Sequence, residues 1–356
     1  MVGGGVIGTS AAYHLALHGC RDVLLLERET LGAGSTGRAA GGIRAQFSDE
    51  LNVRIALECI SRFERFGEEP GAEIAFKQWG YLFLLREDEV PAFRASVELQ
   101  NRLGAPSRFV DPHELVPQLE LGDVAAATFC PLDGYATPEA VVQGYAQAAA
   151  RRGVRVVQGC AAERVAFERG RVTGIVTARG AVATRRVVCA AGAWSRELAA
   201  TAGVDLPVTP ERRHVWVTEP GDPLPRELPL TIDFASGFYF HREGDALLFG
   251  GRERSLEDLA PVAARRLPAL AELGVRTTWS GLYELSPDRN ALVGETADPA
   301  GFLYATGFSG HGFQQGPVVG DELARLALGM PPEIDLAPFS LDRLARAERR
   351  EERNVV

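Results

Sequence analysis

Two periodicities alternate along the chain. Residues 50–66 (ELNVRIALECISRFERF) carry an apolar residue every three to four positions, which sets Leu51, Ile55, Cys59, Phe63 and Phe66 on one face and predicts an amphipathic helix. Further helices are predicted up to about Leu103, over 138–152, over about 256–272 and over 317–328. Asp111-Pro112 opens a short helix with a capping Asp and Pro at its first position, and Thr137-Pro138-Glu139 opens 138–152 in the same way. Short β-branched and aromatic runs bounded by glycine predict strands: GYLFLL at 80–85, then VRVVQG, ERVAFERG, RVTGIVTARG and VVCAAGAW between 154 and 194. RRHVWVTE, LPLTIDFAS, GFYFHREG and DALLFGGRE continue in that style to 253, with Glu243-Gly244-Asp245 as a hairpin turn. The last fifteen residues are charged and predict a solvated helix or tail.

The first twenty-eight residues are built differently. Gly3, Gly5 and Gly8, with Val6 and Ile7 between the last two, have the G-x-G-x-x-G spacing. The first glycine allows a tight turn, the second lets backbone approach a pyrophosphate, and the third lets helix pack close to strand. A helical stretch and the apolar run DVLLLER follow, ending at Glu27 and Arg28; Glu27 stands nineteen positions past Gly8, where an acidic residue takes ribose hydroxyls. The order of these parts predicts a dinucleotide-binding unit. Only Met1 and Val2 precede the glycines, so its first strand is expected to be largely missing. Residues 31–50 (LGAGSTGRAAGGIRAQFSDE) are too rich in glycine for an ordinary helix and too apolar for a linker, a composition that lets backbone lie against a ligand. A second such loop, FSGHGFQQG, follows the strand GFLYATG.

The expected fold is therefore α/β, a Rossmann unit made of residues 1–80, 137–205 and 285–340. A β-sheet domain made of 81–136 and 206–284 is interleaved with it, and 341–356 form a polar tail. Charge narrows the partners. A net charge of −9 argues against nucleic acid or an anionic membrane surface, and Lys77 is the only lysine. Five cysteines without a C-x-x-C pair fit a reduced cytoplasm and predict neither a disulfide framework nor a metal site. No apolar run reaches the length of a membrane span, and no G-x-S-x-G elbow suggests nucleophilic hydrolysis.

Five stretches together resemble one family. GGGVIG (3–8), GAGSTGRAAGGIRAQF (32–47), VVCAAGAWS (187–195), GLYELSPDRNALVG (281–294) and YATGFSGHGFQQGPVVG (304–320) are similar, in order, to FAD-dependent amine oxidoreductases of the sarcosine oxidase, dimethylglycine dehydrogenase and D-amino-acid oxidase type. The C-terminal block is most similar to the mitochondrial FAD-oxidoreductase branch linked to respiratory complex I assembly. The resemblance implies a glutathione-reductase-like FAD domain, with the ADP moiety on Gly3, Gly5, Val6, Ile7, Gly8, Glu27 and Arg28. It implies Gly34, Ser35, Thr36 and Arg38 beside the pyrophosphate and ring, and Val165, Ala191 and Gly192 flanking the adenine side and phosphates. Gly307, Phe308, Ser309, Gly310, Gly312 and Gln314 would close over the flavin edge. Relatives bond FAD covalently through a cysteine or a histidine; the matching positions here are about Gly281 and Arg38, so FAD is expected to be non-covalent.

The implied reaction is hydride transfer to flavin from the carbon beside an unprotonated amine of an N-methyl or cyclic amino acid, with hydrolysis of the imine. Arg44 matches the family's carboxylate anchor. Tyr239 falls where relatives place a substrate-facing tyrosine, with Arg242 on the same strand, and His311 stands near the ring. Lysines that relatives use for a second carboxylate contact and for oxygen reaction correspond to Gln314 and about Leu248, which leaves oxygen, a quinone or a protein as the electron acceptor. The alternative is a flavoprotein that acts mainly as a binding or assembly factor with little turnover.

Overall fold

The computed structural model describes residues 1–346 and 350–355. Its first sheet runs in the order Arg155–Val157, Leu24–Leu26, Val2, Val187–Cys189, Phe302–Thr306 and Leu292–Glu295, parallel except for the last strand. Val2 alone bridges to Leu26 and to Cys189, holding the sheet position between them. These strands are almost wholly apolar because both faces are covered, as parallel sheets require. On one face the helix Val6–Leu17 packs between Pro138–Arg151 and Gly312–Leu328. That packing is close: a Cβ at Gly320 would lie 2.2 Å from the Ser10 hydroxyl, and one at Gly316 2.5 Å from Val6. The other face carries the antiparallel meander Ala162–Glu168, Arg171–Thr177, Gly180–Ala183, whose Val165, Val172 and Ile175 join Val187, Cys189 and Phe302 in one core.

The second sheet has eight strands drawn only from 81–130 and 209–285. Their order is Val275–Leu285, Thr209–Thr218, Ala246–Gly250, Tyr239–Glu243, Leu230–Asp233, Tyr81–Leu85, Ala126–Cys130 and Arg108–Val110. All neighbours are antiparallel except Leu230–Asp233 and Tyr81–Leu85. The period of two sends Leu82, Leu84, Trp216, Phe240 and Phe249 to an outer core under the helix Leu256–Arg266. Tyr81, Phe83, Tyr239, Val215 and Val217 face inward.

Three boundaries differ from the sequence expectations. The last long helix starts at Gly312, not at 317: Pro317 lies in its second turn, and packing of Val318, Val319 and Leu323 against the first helix offsets the one backbone bond proline cannot donate. The helix expected over 256–272 stops at Arg266, and Pro268 opens a separate 3-10 turn to Glu272. The expected solvated tail forms a short helix, Asp342–Ala345, and residues 347–349 and 356 of it lie outside the described residues. Arg350–Val355 then fold back onto the body, with Glu352 and Asn354 buried. Charge misled there because the Glu352 carboxylate has its own partners: it accepts from Ser48 N (2.9 Å), Asp49 N (3.1 Å) and Asn52 Nδ2 (3.0 Å).

Candidate functional site

The glycine turn is shaped by contacts that leave no room for side chains. Gly3 sits at φ +106°, and a Cβ there would fall 2.2 Å from Ala190 O; one on Gly8 would fall 1.9 Å from Gly3 O. So Gly8 sets the helix down on the turn. The Val6 N–H donates to Thr36 Oγ1 at 3.2 Å. The Glu27 carboxylate is held at the strand end, accepting from Gly4 N at 2.7 Å and Glu29 N at 2.8 Å. The Arg28 guanidinium lies 4.1 Å over the Trp194 ring. The 33–38 segment is stapled to the strand Val275–Leu285 by Ser35 Oγ donating to Leu282 O (2.6 Å) and Arg38 Nη1 to Ser280 O (3.0 Å).

From this turn a cavity of about 420 Å³ runs to the inner face of the second sheet. Gly3, Gly5, Val6, Ile7, Glu27 and Arg28 line one end; Gly34, Ser35, Thr36, Arg38, Ala191 and Gly192 line the middle. Phe308, Ser309, Gly310, Gly312 and Gln314 line the far end together with Arg44, Tyr239 and His311. Three expected positions lie behind the wall. Gly8 is spent on packing the helix. Val165 points into the core of the first sheet, while Ala162 and Glu163 reach the cavity instead. Gly307, at φ +74°, turns the chain against Ser286 and Val208. In the loop that follows, a Cβ on Gly310 would meet the Tyr283 ring at 2.6 Å.

The far end gathers one buried cation and several neutral donors. Arg44 Nη1 donates to Gln46 O and Nη2 to Asn354 O, each at 2.6 Å, and its guanidinium lies 4.1 Å over the Phe47 ring. Two of its five N–H donors are thus used. Gln314 Oε1 accepts from Arg44 N at 2.6 Å. Beneath it Asp133 accepts from Ala45 N (2.7 Å) and Gln46 Nε2 (3.0 Å); burial pushes its carboxyl up to about 7. Both ring nitrogens of His311 are buried without a protein partner among the described residues. Burial, then the Arg44 charge, lowers His311 to about 3, so it is a neutral imidazole at neutral pH.

Sequence reasoning missed Tyr81, Tyr283, Arg213 and Glu284, all of which line the cavity. A Cβ on Gly42 would sit 1.8 Å from the Tyr81 hydroxyl, and one on Gly250 2.5 Å from that of Tyr239, so two glycines make room for two phenols. Burial raises Tyr81, Tyr239 and Tyr283 above the ordinary phenol value, leaving three neutral hydroxyls. Glu284 accepts from Thr306 Oγ1 at 2.8 Å, and burial pushes it up to about 7. Arg242, considered beside Tyr239, is not part of the site. It points to the opposite face, pairs with Asp222 and donates to Leu224 O and Pro225 O. Strand parity was the available signal, since residues three apart lie on opposite faces.

A family model described as FAD dependent oxidoreductase matches residues 1–326. The FAD-dependent oxidoreductase domain-containing protein 1 of Bos taurus is 30% identical, with 100% of this chain and 86% of that protein covered. The 4-methylaminobutanoate oxidase (formaldehyde-forming) of Paenarthrobacter nicotinovorans is 30% identical over 97% of this chain; the chain spans 45% of that protein's length. Among solved structures, the L-proline dehydrogenase of P. horikoshii superposes with a TM-score of 0.91 at 31% identity, covering 98% of each chain.

Proposed function

The chain belongs to the FAD-dependent oxidoreductase family, and on that premise we propose that it oxidises the C–N bond of a small secondary amine or amino acid, N-methylated or cyclic, to an imine that water hydrolyses. The observation that carries the reading is Arg44: a buried guanidinium with unused donors, ringed by neutral hydroxyls at the end of the cavity farthest from the dinucleotide turn. The names of the similar proteins, an oxidase of 4-methylaminobutanoate and a dehydrogenase of L-proline, agree with that substrate chemistry.

The residues present fit FAD. The turn at Gly3 and Gly5 clears a path for a pyrophosphate, Glu27 stands at the ribose position, and the orphaned His311 ring nitrogens face the cavity at the flavin end. When bound, FAD supplies the two-electron acceptor. The protein's share is orientation and electrostatics. Arg44 holds the substrate carboxylate through its free N–H groups. Its fixed positive charge also disfavours an ammonium nearby, biasing the substrate toward the neutral amine that the reaction needs. His311, neutral, adds hydrogen-bonding capacity without a second charge. No cysteine lines the cavity among the described residues, and Gly281 rests against Arg38, a Cβ there meeting the Arg38 Cβ at 3.1 Å. These facts support non-covalent FAD. No helix among the described residues is long and apolar enough to cross a membrane.

The test is an absorbance spectrum before and after acid precipitation, followed by anaerobic titration with N-methyl and cyclic amino acids. Flavin in the supernatant and bleaching by members of that panel are the expected results. Colour retained in the pellet would refute non-covalent attachment, and a loaded protein bleached by no amine would refute the reaction.

A further inference from the structure

The end of the cavity near the dinucleotide turn carries both signs, Glu27, Glu29, Glu163 and Glu197 beside Arg28 and Arg38, whereas the sheet end carries Arg44, Arg213 and Arg252 and no carboxylate among its described lining residues. Glu284 belongs to neither set: it faces Thr306 and Gly192 on the other side of its strand from Tyr283. Arg44 is the anchor already described, and Arg252 sits at the rim, donating to Ala235 O and Phe234 O. Arg213 has no role so far. It stands on the inward face of the strand Thr209–Thr218, in phase with Val215 and Val217, where an apolar residue would be expected. Its partner across the sheet is Gly281, so no side chain stands directly opposite. Glu211, two residues earlier on the same face and opposite Tyr283, forms an ion pair with the Arg213 guanidinium and engages part of its donor set.

The Arg213 guanidinium lies 5.3 Å from the centre of the Tyr283 ring, and the Tyr283 hydroxyl feels the positive charge of Arg213 and Arg44 and the negative charge of Glu211. Two cations and one carboxylate therefore surround one neutral phenol on the cavity wall. A single carboxylate on Arg44 leaves Arg213 facing the cavity with Glu211 as its one ion-pair partner among the described residues.

We propose that the substrate is a secondary amine bearing two carboxylates, one held by Arg44 and the other by Arg213, with the amine nitrogen between them beside Tyr283. The proposal rests on the amine-oxidoreductase reading for its nitrogen alone; the carboxylate count is open to a binding test that involves no oxidation. Arg213 then sets specificity, since a guanidinium left without its carboxylate lowers affinity for the shorter ligand.

Diglycolate and methoxyacetate are ether isosteres of a dicarboxylic and a monocarboxylic secondary amine. Neither can form an imine. Each is titrated into the FAD-loaded protein, and its dissociation constant is read from the perturbation of the flavin absorbance. Diglycolate should bind about tenfold tighter or more, the scale of one charge-assisted pair, and in Arg213→Gln that ratio should fall toward one. Equal affinities in the unmodified protein overturn the proposal and leave the amine reading standing, as does a preference that survives Arg213→Gln. If neither ether perturbs the spectrum, the carboxylate anchor fails, and both readings fall with it.

Discussion

Replacing Gly8 with alanine is the most direct test of the dinucleotide turn, because its magnitude follows from the geometry. The new Cβ would lie 1.9 Å from Gly3 O, a backbone atom with no rotamer to escape into. Ordinary contact begins at 3.4 Å, so turn and helix must separate by about 1.5 Å. A displacement of that size carries N–H groups aimed at a phosphate beyond hydrogen-bonding range, and each such bond to a charged group contributes about 1.5–3 kcal/mol. Loss of one weakens FAD binding roughly tenfold to a hundredfold. Gly122→Ala is the control, because a Cβ there meets nothing within 4 Å and the residue lies off the cavity. Quenching of FAD fluorescence on titration with each apo-protein gives the dissociation constants. Equal affinities for Gly8→Ala and Gly122→Ala would show that the turn does not hold the cofactor as described.

Three further expectations concern the supports of the site. Burial raises the Asp133 carboxyl to about 7 from its ordinary value of 3.8, so the folded state holds its proton more tightly than the unfolded chain and stability falls as pH climbs from about 4 to 7. Asp133→Asn should flatten the decline of melting temperature across that window, and an unchanged slope would contradict the assignment. Asp288 and Arg343 form a bidentate pair at 2.8 Å with both side chains almost fully buried, so Asp288→Ala leaves a buried guanidinium unpaired and should cost about 3–5 kcal/mol by urea denaturation; less than 1 kcal/mol would refute that estimate. Glu352→Ala frees residues 350–355 and with them the Asn354 carbonyl that orients Arg44, so methoxyacetate affinity should drop about tenfold while FAD affinity moves less than about twofold. Parallel losses of both ligands would assign Glu352 to general stability.

What was legible in the chain was local. The glycine spacing, the Glu27 position and the amphipathic face of 50–66 depend on neighbours a few residues away, and the structure builds each of them close to where the pattern puts it. Features that depend on what lies across the fold were not legible. Tyr81 reads as one aromatic in a strand; only Gly42, thirty-nine residues earlier, makes it a cavity hydroxyl. Arg213 reads as one of two adjacent arginines, and its inward face follows only from the strand register with Val275–Leu285. The C-terminal residues read as solvent-loving because charge is a surface signal on average, yet Glu352 meets five donors within reach. Pro317 marked a helix start because its cost was visible and the compensating helix packing was not.

The first sheet has one more consequence, in the order of assembly. Val2 lies between Leu26 and Cys189, whose strand in turn pairs with Phe302–Thr306, so one wall of the glycine turn comes from a segment 187 residues further along the sequence. The glycines at 3–8 are complete as a turn only once the strand Val187–Cys189 and the residues after it have joined them. Such distant pairings make folding slow, because loop closure precedes the contacts that compensate it. A ligand that recognises the finished turn therefore stabilises the folded chain by mass action on the native state.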